Sequence, residues 1–470
     1  MTNKITFGTS GWRAIIADQF TFRNVRLVGE AIARYLNTVA GTPVLLVGYD
    51  NRFLSEHFAK EAADVLSRAG VRVLLSSEAV PTPAVSFAVR DRKLGGAVNI
   101  TASHNPGEYN GIKFSGADGA PALPEVTSRI EAEIEALDAS GWDSAGLPNA
   151  DLIEPVSLRE GYLRDLGSKV DLDVIRRSDI RVGYDALHGV GAGYLDLVLR
   201  ELGLNPFVLH TDRDVLFGGR HPEPDEGNLA QLKHAVIHDR LTLGLGTDGD
   251  ADRFGILDSD GAYFHPNDVI ALLLDYLVDT RQWTGAVART VATTHLIDRV
   301  ARLHGLEVLE TPVGFKYIGQ YIDANRIVLG GEESAGLAIR GHLPEKDGIL
   351  ACLLVTEMVA KRGKSLRTQL NSLFKRTGEV YNQRLKVDLD PEIREAVGRK
   401  LAANVEEFGG RKVLRQDRTD GLKLEFSDDA WVLARLSGTE PVARFYAEAG
   451  SRSELDGLMA DGRRWLQGPG

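Results

Sequence analysis

The stretch PVLLVGYDNRFLSEHFAKEAADVLSRAGVRVLL, residues 43–75, holds a complete strand–helix–strand unit. Residues 43–50 are a short apolar run that reads as a strand. Residues 55–70 then place Phe58, Ala62 and Val65/Leu66 at helical spacing and stop at Gly70, a residue that ends helices readily because it accepts a left-handed backbone. VRVLL (71–75) follows as a second strand, so the segment is a βαβ unit.

The same grammar recurs along the chain. It returns in IRVGYDALHG (180–189), a following helix, PFVLH (206–210), LAQLKHAVIHDR (229–240) and LTLGLG (241–246). It returns again from Val287 through VATT (291–294), LEVLE (306–310) and RIVLGG (326–331). Three consecutive α/β domains are therefore expected, over residues 1–155, 156–260 and 261–375. Beyond Glu379 the pattern changes to RLKVDLD, a helix from Pro391, the alternating GLKLEF, then WVLARL, ARFYAEA and a final helix. Residues 376–470 read as a smaller α+β domain. The acidic segment 125–139 carries an apolar stripe at Ile130, Ile134 and Leu137 and reads as a solvated helix closing the first domain.

Composition narrows the function. With 470 residues, 43% hydrophobic and 26% charged, the chain falls in the ordinary globular range and is long enough for several cores. A formal charge of -11 argues against broad binding to nucleic acid or anionic membrane. The apolar run VIALLL (269–274) is far too short to cross a bilayer, and MTNKITFGTS carries no apolar signal segment. The single cysteine, Cys352 in ILACLLV, excludes an intrachain disulfide and reads as a buried core thiol. A cytoplasmic protein is expected.

Each domain ends one strand in an unusual polar loop: NITASHNP (99–106), LGTDGDADR (245–253), VLGGEESAG (328–336) and ARLSGTEP (434–441). Ligands gather at the carboxyl ends of strands in open α/β sheets, so the four loops are expected to share one cleft. Asp248, Asp250 and Asp252 alternate, a spacing that can aim three hard oxygens at one divalent cation. An EF-hand would need Gly and Glu where Arg253 and Ser259 stand, so that reading fails. Arg435, Ser437, Gly438, Thr439 and Arg444 combine small turn residues with two guanidiniums and read as a phosphate cradle. Glu332 and Ser334 suit sugar hydroxyls, although a helix N-cap with acidic first-turn residues fits the same letters. HGVGAGY (188–194) has Tyr194 in place of the third glycine of a dinucleotide fingerprint and reads as a tight turn.

Ser103 stands beside His104, yet adjacent side chains are not expected to form a hydrolase pair, and no G-x-S-x-G elbow surrounds the serine. A divalent site and abundant phosphate ligands instead suit a phosphoryl group carried on its oxygen.

These residues resemble the α-D-phosphohexomutases, the phosphoglucomutase and phosphomannomutase group. The likeness spans the chain: FGTSGWR (7–13), GYDNRFLS (48–55), TASHNPGEYNGIKF (101–114), PEPDEGNL (222–229), GTDGDADRFGI (246–256), TPVGFKYI (311–318), GGEESAG (330–336), HLPEKDG (342–348) and RLSGTEPVAR (435–444). The resemblance implies four domains around a central cleft, three α/β domains with mixed sheets and a mobile α+β fourth. It implies that Ser103 is the phosphoserine and that Mg2+ is held by its phosphate with Asp248, Asp250 and Asp252. Arg253 matches an arginine beside the transferring phosphate, while Arg13, His104 and Lys113 match residues of proton transfer and phosphate contact. Glu332 and Ser334 match sugar-hydroxyl ligands, Lys346 a lysine found at this place in phosphoglucomutases, and Arg435, Ser437, Gly438, Thr439 and Arg444 the loop holding the phosphate that is not transferred.

Two departures bear on the substrate. Dual-specificity members continue Glu-x-Ser into Gly-His, whereas Ala335 and Gly336 stand here, leaving His342 as a candidate replacement. Phosphoglucosamine mutases carry FGTDG and an alanine before Ser-Gly-Thr, where this chain has Ser10 and Leu436. The expectation is a phosphoglucomutase, a monomer or homodimer acting on small hexose phosphates, with glucose 1,6-bisphosphate as activator. The alternatives are a phosphomannomutase or dual-specificity enzyme, a phosphoglucosamine mutase, a metal-dependent sugar phosphatase and a non-catalytic sensor.

Overall fold

The computed structural model describes residues 4–8, 11–39, 43–143, 146–436 and 442–467. The opening unit forms as read: strands Val44–Tyr49 and Arg72–Ser76 pair in parallel, and helix Ser55–Arg68 buries Phe58, Ala62, Val65 and Leu66. Gly96–Ile100 adds to the other side of Val44–Tyr49 in parallel, followed by Tyr109–Ser115 and Trp12–Ile15 in antiparallel pairing. Ile153–Val156 completes this six-stranded sheet at the opposite edge. Gly96–Ile100 is buried throughout, as a strand covered on both faces must be. Helix Pro124–Ala139 buries Ile130, Ile134 and Leu137 in the core that it shares with helix Phe22–Asn37.

The second sheet runs Tyr263–Phe264, Phe254–Asp258, Leu243–Thr247, Val182–Asp185, Phe207–Leu209, and the third runs Glu307–Thr311, Ala286–Thr290, Ile327–Glu332, Gly336–Ile339. Both are mixed, with parallel pairs and antiparallel strands at one side. VATT proves to be the turn after strand Ala286–Thr290, where the Thr290 hydroxyl accepts from Ala292 N–H and satisfies the backbone in place of a ladder. HGVGAGY is a turn, with helix Leu195–Glu201 beginning after it. Helices Pro266–Arg281 and Gly348–Arg362 are buried on nearly every side, since one core spans the second and third domains. That burial explains the apolar run at 269–274, and among the described residues no helix is long and apolar enough to cross a membrane. Cys352 is a buried free thiol on the second of these helices.

The fourth sheet is antiparallel throughout, in the order Tyr381–Asp388, Val442–Ala449, Trp431–Leu436, Leu422–Glu425, Arg415–Asp417. Alternation sorts its faces. Val432, Ala434, Ala443, Phe445 and Ala447 share a core with Val397, Leu455 and Leu458 of the two flanking helices. Trp431, Leu433 and Tyr446 point the other way and pack on Val291, Ala292 and Val313 of the third domain.

Candidate active site

Ser103 follows strand Gly96–Ile100 in a left-handed turn (φ +53°) and is 1% exposed. Such a backbone costs about 1–3 kcal/mol outside glycine, so its surroundings must impose it. The imposing groups end the first strand of the opening βαβ unit. Buried Arg52 donates to the carbonyls of Ser103 (2.6 Å), Asn105 (2.6 Å), Pro106 (2.7 Å) and Tyr109 (2.9 Å). Asp50 pairs with Arg52 at 3.2 Å and accepts from Thr101 Oγ1 at 2.6 Å, while Thr101 Oγ1 accepts from the Ser103 N–H at 2.9 Å. Sequence reasoning gave neither Asp50 nor Arg52 a role, although both stand in the GYDNRFLS segment; the signal there was two charges closing a buried strand.

The same turn brings His104 Nδ1 to 3.3 Å from Ser103 Oγ. Adjacency does not keep the two apart, but the approach alone does not make the hydrolase pair that the sequence argued against, which also needs a third group to orient the ring. No carboxylate orients the imidazole among the described residues. Burial, with the charges of Arg253 and Arg13, pushes His104 well below the usual histidine range, leaving it neutral at pH 7.

Asp248, Asp250 and Asp252 occupy the turn between Leu243–Thr247 and Phe254–Asp258, fully buried, with one oxygen of each within 4.8 Å of the others. Ser103 Oγ donates to Asp248 Oδ2 at 2.9 Å. Lys113 Nζ donates to Asp250 Oδ2 (2.6 Å) and Asp252 Oδ2 (2.9 Å), Lys346 Nζ to Asp252 Oδ2, and Thr82 Oγ1 to Asp250 Oδ2 (2.5 Å). Asp250 Oδ1 and Asp252 Oδ1 are buried without a hydrogen-bond partner. Unpaired buried carboxylate oxygens are costly, so two of them beside the Asp248–Ser103 bond fit a hard divalent cation. Burial and the charges of Asp252 and Asp250 push the Asp248 carboxyl well up.

Arg253 anchors its Nη1 on Glu223 at 3.0 Å, which gives the PEPDEGNL segment a purpose, and Arg13 Nη1 donates to Asn105 Oδ1 at 2.7 Å. Glu332 and Ser334 lie on a β-hairpin, the strand Ile327–Glu332 returning as Gly336–Ile339, so the helix N-cap reading of GGEESAG falls. Glu332 accepts from Gly314 N–H at 3.0 Å, and burial together with Glu333 pushes its carboxyl up to about 7. Lys346 and Arg253 act on Glu332 through their charges. His342 does not replace the missing histidine there. It is buried, with Nε2 on Asp347 Oδ2 at 2.8 Å, and Asp347 caps helix Gly348–Arg362 by accepting from Leu350 N–H.

In the fourth domain Arg435 stands directly opposite Arg444, which stands opposite Lys386, so three cations line one row of the sheet face turned to the third domain. Like charges directly opposite repel, an arrangement suited to an anion. Sequence reasoning missed Lys386, whose signal was the alternation of RLKVDLD. Asp420 accepts from Arg435 Nε at 3.2 Å and Nη2 at 2.9 Å. Ser437, Gly438 and Thr439 lie outside the described residues.

Four domains of one family match in order: Phosphoglucomutase/phosphomannomutase alpha/beta/alpha domain I over residues 4–140, domain II over 160–261, domain III over 265–377 and the C-terminal domain over 389–464. A phosphoglucomutase/phosphomannomutase of Thermococcus kodakarensis is 31% identical over 98% of each chain. The chain belongs to the phosphoglucomutase/phosphomannomutase family. It is thus an enzyme of the phosphohexomutase group, with that group's four-domain fold. A phosphoglucomutase of Komagataeibacter xylinus is 30% identical over 95% of this chain and 88% of its own. A crystal structure from Thermus thermophilus, provisionally assigned as a phosphomannomutase, superposes with a TM-score of 0.87 at 34% identity over all of both chains. Other relatives at 29–31% identity carry phosphoglucosamine mutase names, so membership fixes the phosphohexomutase reaction class and leaves the sugar to be argued.

Proposed function

We propose that this phosphohexomutase is a phosphoglucomutase, interconverting glucose 1-phosphate and glucose 6-phosphate through phosphorylated Ser103 and a glucose 1,6-bisphosphate intermediate. The observation that carries the reading is the 2.9 Å bond from Ser103 Oγ to Asp248 Oδ2, which places a buried hydroxyl against the three-carboxylate cluster. Asp248, Asp250 and Asp252 would hold the divalent ion, Mg2+ by resemblance, and when bound it offsets negative charge on the phosphoryl oxygens. The residues of the chain do the rest. Arg435 and Arg444 hold the phosphate that is not transferred, with Ser437, Gly438 and Thr439 in the same loop, and Glu332 and Ser334 hold sugar hydroxyls. The free sugar hydroxyl attacks phosphorus; its O–P bond forms as the Ser103 Oγ–P bond breaks. The proton released by the attacking hydroxyl ends on the serine oxygen; His104, 3.3 Å from Ser103 Oγ, and Lys113 are the groups proposed to handle it. Arg13, Lys113 and Arg253 compensate charge around the transferring group. After the bisphosphate turns round, its other phosphate recharges Ser103.

Several features favour glucose. Lys346 reaches into the cluster from the PEKDG segment, His342 is turned into the core, and Leu436 stands where glucosamine enzymes carry alanine. Coupled assays with glucose, mannose and glucosamine 1-phosphates, under the same Mg2+ and glucose 1,6-bisphosphate, test the reading. The highest kcat/KM is expected for glucose 1-phosphate, with measurable turnover of mannose 1-phosphate. A clear preference for either other sugar overturns the substrate, and release of inorganic phosphate without isomer would show a phosphatase.

A further inference from the structure

Adjacent backbone amides on the loop after strand Glu307–Thr311 grip carboxylates from two different domains. Val313 N–H donates to Asp420 Oδ2 of the fourth domain at 3.0 Å, and Gly314 N–H donates to Glu332 Oε1 of the third domain at 3.0 Å. Gly314 has φ +133°, a conformation that side chains rarely adopt, so the paired amides depend on glycine there. Asp420 also takes Nε and Nη2 of Arg435, the side of the guanidinium. That choice leaves the Nη1/Nη2 end of the fork directed away from the carboxylate, the end that can meet a phosphate in a second bidentate contact. Arg435 is 9% exposed, and a planar fork held on one side by a carboxylate has lost most of its freedom before any ligand arrives.

We infer that Asp420 is a positioning residue that aims Arg435 at the substrate phosphate and, through the amides of Val313 and Gly314, joins the phosphate site of the fourth domain to the sugar-hydroxyl carboxylate Glu332. The inference rests on Arg435 being the phosphate ligand of the proposed function. Asp420 touches no substrate itself; it acts through Arg435 and the 313–314 loop. Asn in its place keeps the size but removes the charge and one acceptor, so the fork swings and the loop loosens.

The test is a double-mutant cycle on the full-length protein, with glucose 1-phosphate binding by calorimetry and kcat and KM as readouts. Asp420→Asn is expected to weaken glucose 1-phosphate binding and to raise KM by at least tenfold, with kcat changed less than threefold and the melting temperature kept. In an Arg435→Ala background the same substitution is expected to change affinity several-fold less than in the parent, because the guanidinium it positions is gone and only the contact through the 313–314 loop remains; a purely structural residue would exert its full effect there. Unchanged affinity in Asp420→Asn, or a full effect in the Arg435→Ala background, overturns the inference while leaving the proposed function intact. A parent protein that binds no hexose phosphate would instead sink the proposed function, and the inference with it.

Discussion

At the scale of single residues the site is governed by which buried charges have partners. Ser103 contributes an oxygen, and everything that aims that oxygen belongs to other side chains: Arg52 on the carbonyls, Thr101 on the amide, Asp248 on the hydroxyl. Ser103→Ala keeps the same left-handed backbone requirement, so the melting temperature is expected to shift by only a few degrees while kcat falls by several orders of magnitude. Intact-mass measurement should also find phosphate on the parent and none on the variant; near-normal turnover would end the carrier role. Glu332 gives a pH signature. Its carboxyl titrates near 7 in the folded protein, against 4.5 ordinarily, because burial and Glu333 disfavour its charge. Between pH 4.5 and 7 the folded state holds a proton that the unfolded state has lost, so this group's contribution to stability declines as pH rises through that window, by up to about 3 kcal/mol. Urea melts of the ligand-free protein at pH 5 and 7.5 are expected to show a smaller loss in Glu332→Gln than in the parent.

At the scale of elements, what the sequence makes legible is periodicity, and what it hides is pairing. Helix Ser55–Arg68 could be read because Phe58, Ala62 and Leu66 repeat on one face whatever they pack against. GGEESAG could not be resolved locally, since a glycine turn followed by acids serves a helix start and a hairpin alike; Leu329 pairing with Ile339 decides it. The alternate carboxylates of 248–252 were legible because their spacing is itself the geometry, whereas Asp420 beside Arg435 depends on strand register and leaves no local trace. Close packing of an element on the site makes a prediction of its own. Helix Gly348–Arg362 begins against the metal-candidate turn: Gly348 N–H donates to Ala251 O, and a Cβ on Gly348 would lie 2.2 Å from Arg253 O. That contact is with backbone and cannot be relieved by a rotamer. Gly348→Ala is expected to cost about 1–3 kcal/mol and to lower kcat at least tenfold by displacing Arg253, as read from thermal melts and initial rates. A variant with parental stability and rate would show that the turn moves freely.

At the scale of the whole molecule the fourth domain is joined to the third by both apolar and charged contacts, and the charged ones respond to acid. Trp431, Leu433 and Tyr446 pack on Val291 and Ala292. Beside them Lys423 of the fourth domain donates to Glu310 of the third at 3.0 Å, and Arg289 holds Glu310 from its own domain. Burial alone would raise the Glu310 carboxyl, but Arg289 and Lys423 outweigh it and hold it down at about 2. A carboxylate depressed in the folded state contributes stability that is complete above its unfolded pKa near 4.5 and is lost as pH falls toward 2. The full shift corresponds to about 3 kcal/mol, and solvent screening of the partly exposed pair reduces it to about 1–2 kcal/mol. Protonation of Glu310 also leaves Lys423, 1% exposed, without its counter-charge at the joint between the domains. Acid is therefore expected to loosen this joint before it unfolds the cores, whose contacts are apolar. Hydrogen exchange at pH 3.5 should show faster exchange in 422–425 and 431–436 than at pH 6 after correction for intrinsic rates, while 96–100 stays protected. Glu310→Gln should show the faster exchange already at pH 6. Equal exchange in parent and variant at both pH values would mean that the apolar patch alone holds the fourth domain in place.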